Sequence, residues 1–160
     1  DVIVDAGGQD SVELRSAMVV AQKLIIPMQA SQPDLWTMET MEELVEQARG
    51  LNPDLEVAVV INRGTTNPRV SEVEEARACL VEYPSLPVRD CVVRERVAFR
   101  KAMALGRSVG ELEEVDLKAL GELGALYAAI YGEPFTHPET NDGERNEAPA
   151  QGASAEAAAV

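Results

Sequence analysis

Asp5 closes the apolar run Val2-Ile3-Val4 and is followed, one residue on, by Gly7 and Gly8. A carboxylate at the end of a buried strand can hold hydrated Mg²⁺, and residues without a Cβ let backbone N–H groups approach a phosphate. The plain alternative is a strand-to-helix turn in which Asp5 hydrogen-bonds the loop. Asp10 stands just beyond the two glycines. Asn62 ends a second apolar run, Val59-Val60-Ile61, and an amide that donates and accepts at once is what recognition of a base edge requires. A lone Asn more commonly satisfies loop backbone. The third chemistry is cationic. Between Arg89 and Arg107, Arg89, Arg94, Arg96, Arg100, Lys101 and Arg107 face only Asp90 and Glu95. On a helix, Arg96, Arg100 and Arg107 share one face while Ala98, Ala102 and Leu105 turn the other way. Such a stripe contacts phosphates of a nucleic acid, or it is a solvated face paired with acidic surface.

Other residues carry weaker signals. His137 is the only histidine and has no second ligand nearby, so neither metal binding nor catalysis is expected of it. Trp36, Met38 and Met41 sit at helical spacing and read as core or interface. Ser11 has no partnering base in view.

These residues need strands and helices to hold them. Asp1 to Asp5, Lys23 to Met28, Glu56 to Asn62 and Val88 to Val93 are short runs rich in Val and Ile, expected as four buried strands. Leu35, Met38, Met41, Leu44, Val45 and Ala48 recur at helical spacing and stop at Gly50. Ser71-Glu72-Val73-Glu74 has capping-box spacing and predicts a helix through Glu82. A last helix is expected from about Asp116 to Tyr131. Alternating strands and helices with short connections give an α/β fold, a parallel sheet flanked by helices. In such sheets ligands bind beyond the carboxyl ends of the strands, where Asp5, Pro27, Asn62 and Val93 all fall. From residue 132 to 160 the chain is acidic and rich in Pro and Ala, and reads as a disordered tail.

Composition narrows the function. The 160 residues are 46% apolar and 26% charged, as expected of one globular domain. Twenty-eight acidic against 14 basic side chains leave a net charge of −14, so nucleic-acid binding by overall charge is excluded and only a local cluster could serve. No apolar run approaches the roughly 18 residues that cross a bilayer. Two cysteines in helix and strand interiors fit reduced thiols, hence a cytoplasmic protein.

Taken in order, Val2 to Arg15, the loop from Ile26-Pro27 to Trp36, Ile61-Asn62-Arg63 and the segment Val93 to Val109 resemble the ParA-type partition ATPases, in the deviant Walker A group of P-loop NTPases. The resemblance is nearest to the short plasmid forms and covers most of residues 1–131. It implies a P-loop NTPase-like fold, with Asp5 as the Walker B aspartate and metal ligand, Gly7 and Gly8 at the γ-phosphate, Asp10 near the attacking water, and Asn62 at the adenine. It also implies ATP and Mg²⁺ as cofactors, a homodimer closed by ATP, non-specific DNA contact through Arg96, Arg100 and Arg107, and a centromere-binding adaptor. No membrane partner is expected. The family's lysine-bearing Gly-rich loop does not occur in these residues. Its backbone N–H groups and lysine position and neutralise the triphosphate, so no ATP hydrolysis is expected of this chain alone. The start inside a strand-like run is what the carboxyl-terminal portion of a longer protein, or a truncated remnant, would show. A non-catalytic interaction module and another ATPase of the same group, for division-site positioning or cofactor maturation, remain open.

Overall fold

The computed structural model describes residues 2–136; His137 and the expected disordered tail from residue 137 on lie outside them. The sheet has three parallel strands in the order β1 (Lys23–Met28), β2 (Glu56–Gly64), β3 (Val88–Arg94). The α/β class therefore holds. Around the sheet run helices α1 (Val12–Val20), α2 (Gln32–Trp36), α3 (Met38–Arg49), α4 (Glu72–Leu80), α5 (Val97–Leu105) and α6 (Leu117–Tyr131), with a short 3-10 turn at Val109–Glu111. β2 is central, which explains its unbroken apolar run: Val57, Ala58, Val59, Val60 and Ile61 are all buried because a parallel sheet is covered on both faces. One face packs Ile26, Met28, Val57 and Val59 against Leu14 and Met18 of α1, Leu44 and Val45 of α3 and Leu80 of α4. α6 packs against β3.

The expected first strand does not form. Val2, Ile3 and Val4 are 90%, 86% and 66% exposed and pair with no strand among the described residues. β-branched composition makes a strand only where a neighbour completes its ladder. β1 is an edge, and its geometry shows which side is open. Glu56 donates its N–H to the Gln22 carbonyl at 3.0 Å, so even-numbered residues of β1 face β2 and Pro27 faces outward. There its missing N–H removes no ladder bond, which is why proline is tolerated.

Local chemistry corrects two further boundaries. The helix expected across Leu35 to Ala48 is interrupted at Thr37, whose hydroxyl donates to the Asp34 carbonyl at 2.7 Å and diverts an acceptor from the helical ladder. Ser71 does not cap α4; its hydroxyl bonds the Glu75 carboxylate instead, and the helix ends at Leu80. Ser11, by contrast, is a working cap, accepting the Leu14 N–H at 3.1 Å. Asp116 accepts the N–H groups of Lys118 and Ala119 and opens α6.

The carboxylate that joins α6 to the end of the sheet is Glu122, whose side chain is 11% exposed. It accepts the Arg94 backbone N–H at 3.0 Å and the Arg96 guanidinium at 2.6 Å, with the Arg94 guanidinium at 3.5 Å. Burial pushes the Glu122 carboxyl up, but the bond from Arg96, the Arg94 N–H and both arginine charges together hold it below the usual glutamate value. A depressed carboxylate stabilises the fold above its unfolded pKa, and that stabilisation is lost as pH falls through the lowered folded value. Glu122→Ala is expected to cost about 2–4 kcal/mol in urea unfolding at neutral pH, since it strands a buried arginine. Glu122→Gln should in addition flatten the acid limb of the stability profile, and an unchanged midpoint and acid limb would show that the clamp contributes nothing.

Candidate functional site

An open groove of about 1230 Å³ is walled by residues 3–8, the outer strand β1, the ends of β2 and β3, and the facing sides of α5 and α6. Asp5, Gly7, Gly8, Pro27, Asn62, Val93, Arg96 and Arg100 all line it. Asp10 and Arg107 do not. Asp10 is held by Arg15 in a two-pronged pair at 2.6 and 2.8 Å. The hydrogen bond from Arg15 keeps its carboxyl below the usual aspartate value.

Asp5 is exposed at the groove wall. Among the described residues no three His, Cys, Asp or Glu side chains gather in a way that could hold a metal ion. A lone carboxylate fits Mg²⁺, which keeps waters and takes phosphate oxygens as its other ligands, and does not fit a metal caged by protein alone. A Cβ added at Gly7 or Gly8 would meet nothing within 4 Å, and neither glycine has a positive φ. Packing thus gives no reason for their smallness, and the space beside their backbone is open to a ligand.

At the end of β2 the chain turns sharply. Arg63 adopts φ 53°, the left-handed region that non-glycine residues rarely enter. Its backbone N–H donates to Oδ1 of Asn62 at 2.9 Å. Gly64 follows, and a Cβ there would lie 2.8 Å from Cγ1 of Val92, so this turn is wedged against β3.

The arginines do not form the expected single helical stripe. Arg96 precedes α5 as its N-terminal boundary, and the helix stops at Gly106, whose φ of 62° suits a residue without a Cβ. Arg107 therefore lies past the helix, and only Arg100 is within it. Arg96 is committed to Glu122 and only 16% of its side chain is exposed. Its Nε is buried and has no hydrogen-bond partner among the described residues. Arg100 is exposed and shares the Glu95 carboxylate with Arg63, which bonds it at 2.6 Å. The Arg63 hydrogen bond, aided by Arg100, lowers the Glu95 pKa. Four guanidinium groups, from Arg63, Arg94, Arg96 and Arg100, thus line one groove together with Glu95.

From sequence, no site role is expected of Arg63, Glu95 or Glu122. One signal was available: Glu122 is the only carboxylate in Leu117–Tyr131, a run otherwise apolar after Lys118, and such a residue on a core-facing helix needs a partner. Among the described residues no helix is long and apolar enough to cross a membrane.

No protein-family model matches the chain. It is similar to Maintenance of carboxysome distribution protein A of Halothiobacillus neapolitanus, with 33% identity over 109 residues. The match covers 68% of this chain and 49% of that protein, so the chain spans about half the length of the relative. The similarity supports a ParA-like relationship over the matched residues.

Proposed function

We propose that this chain is the carboxyl-terminal part of a ParA-type ATPase that positions DNA or another large cellular body. In the whole protein, ATP closes a homodimer, the dimer contacts DNA without sequence preference, and a centromere-binding or equivalent adaptor stimulates hydrolysis. The observation that carries this reading is the 33% identity over 109 residues to a protein named for maintaining carboxysome distribution. That name widens the cargo beyond DNA. Supporting it, Asp5, Gly7, Gly8 and Asn62 line one groove. In that groove Asp5 would hold Mg²⁺, Gly7 and Gly8 would admit the phosphates, and Asn62 would meet the base. Mg²⁺ would supply charge neutralisation at the phosphates. The distribution of arginines divides their roles. Arg107 is exposed, and Arg100 reaches solvent although it is paired with Glu95, so both can meet phosphates, whereas Arg96 is taken up by Glu122.

Two outcomes test the reading. The 160-residue chain is expected to bind ATP weakly and to release no phosphate above background, because no lysine-bearing Gly-rich loop occurs among its residues. Robust turnover by this chain would overturn that account. For DNA, Arg100→Ala combined with Arg107→Ala should weaken binding equally for unrelated duplexes in a gel-shift titration. The substitutions should also reduce the salt slope by about 0.9 per lost phosphate contact. Arg96 is left intact, because removing it would strand Glu122 and confuse affinity with stability. The titration is made on the ATP-bound protein extended upstream to include the phosphate loop, and unchanged DNA affinity and salt slope there would show that the DNA contact lies elsewhere.

A further inference from the structure

Ala6 and Asp10 are the two held points of the loop that follows Asp5. Ala6 packs against the main core. Asp10 is gripped by Arg15: Nε donates to Oδ1 at 2.6 Å and Nη2 to Oδ2 at 2.8 Å, while Nη1 donates to Oε1 of Gln47 on α3 at 2.7 Å. Every nitrogen of the guanidinium is thus engaged. Arg15 is itself well seated, its backbone N–H bonded to the Ser11 carbonyl at 3.1 Å and its helix fixed by the buried Leu14 and Met18. Between the two held points, Gly7, Gly8 and Gln9 are exposed, and a Cβ at either glycine would touch nothing. This arch has no packing of its own, so the direction of its N–H groups depends on where its ends are held. A lone exposed ion pair would hold an end weakly, but a forked pair that also reaches a second helix fixes an angle as well as a distance.

We infer that Arg15 is a positioning residue for a phosphate-bearing ligand: through Asp10 and Gln47 it holds the Gly7–Gly8 backbone at the groove wall, and Asp10 acts through that bond, not on the attacking water. The groove is lined by this loop up to Gly8 and not by Asp10. Each oxygen of Asp10 already accepts from Arg15, and that bond holds the carboxyl below the usual aspartate value, away from the near-neutral pKa that suits a general base. The role rests on the phosphate reading of the groove proposed above, and it moves Asp10 from chemistry to support.

The test has two arms. Loop order is read from the ¹⁵N heteronuclear NOE at Gly7, Gly8 and Gln9 in the 160-residue chain, and MgATP affinity and turnover are read in the protein extended upstream through the phosphate loop. Arg15→Ala and Asp10→Ala are each expected to lower the NOE at all three residues while the β2 amide resonances stay in place, showing that the fold is kept. In the extended protein each should weaken MgATP binding roughly three- to tenfold, the worth of one hydrogen bond. The double substitution should cost no more than either single one, because both remove the same link. Asp10→Asn keeps an acceptor oxygen for Arg15 and should stay within about twofold of the unsubstituted protein in affinity and kcat. A kcat reduced about a hundredfold in Asp10→Asn at unchanged affinity would overturn the positioning role, since Asp10 would then meet the reacting water. An unchanged NOE in Arg15→Ala, or additive losses in the double variant, would overturn it as well. If the unsubstituted extended protein binds no MgATP, the phosphate reading fails and the positioning role with it, whatever the NOE values show.

Discussion

The Glu122 carboxylate is the point on which the functional end of this molecule depends. Three groups converge on it: the backbone N–H at the last residue of β3, the guanidinium of that residue, and the guanidinium that precedes α5. A helix from the far end of the sequence is thereby tied to the edge of the sheet, and the chain between them must follow. α5 and the 3-10 turn fill that interval around Ala98, Ala102, Val109 and Ala119, small side chains that let α5 and α6 approach closely. A hydrophobic contact alone would hold these pieces without fixing rotation. A carboxylate with directional bonds fixes the angle at which the arginines meet the groove.

The same end of the sheet shows how backbone and charge divide the work. At β2 the chain spends conformational strain on a left-handed arginine and a glycine wedged against Val92, which points one amide. At β3 it uses ion pairs. Glu95 binds Gly64 through its backbone, donating its N–H to that carbonyl at 2.9 Å, and collects Arg63 and Arg100 with its side chain. The two strand ends are consequently coupled through one residue, and neither can shift without disturbing the other.

Much of the fold was legible because burial leaves a mark in composition. The run Val57 to Ile61 identified a strand covered on both faces, and Asp116 marked the start of the last helix correctly. The same logic failed at Val2 to Val4, where the composition is just as strand-like but no neighbour supplies a ladder; pairing is a property of two segments. Asn62 and Asp5 stand out by their places after apolar runs, and the fold brings both to one groove. The fate of Arg96 was not legible, since its partner is 26 residues away and helical spacing predicts a shared face only if the helix extends that far. It stops at Gly106.

Charge is also unevenly shared among the elements. α3 and α4 carry Glu39, Glu42, Glu43 and Glu46 and Glu72, Glu74 and Glu75 against Arg49 and Arg77, while Arg63, Arg94, Arg96 and Arg100 line the groove. Charges are screened over about 8 Å at physiological salt. A group that enters the groove therefore meets the field of its arginines and of Glu95 rather than the net charge of −14.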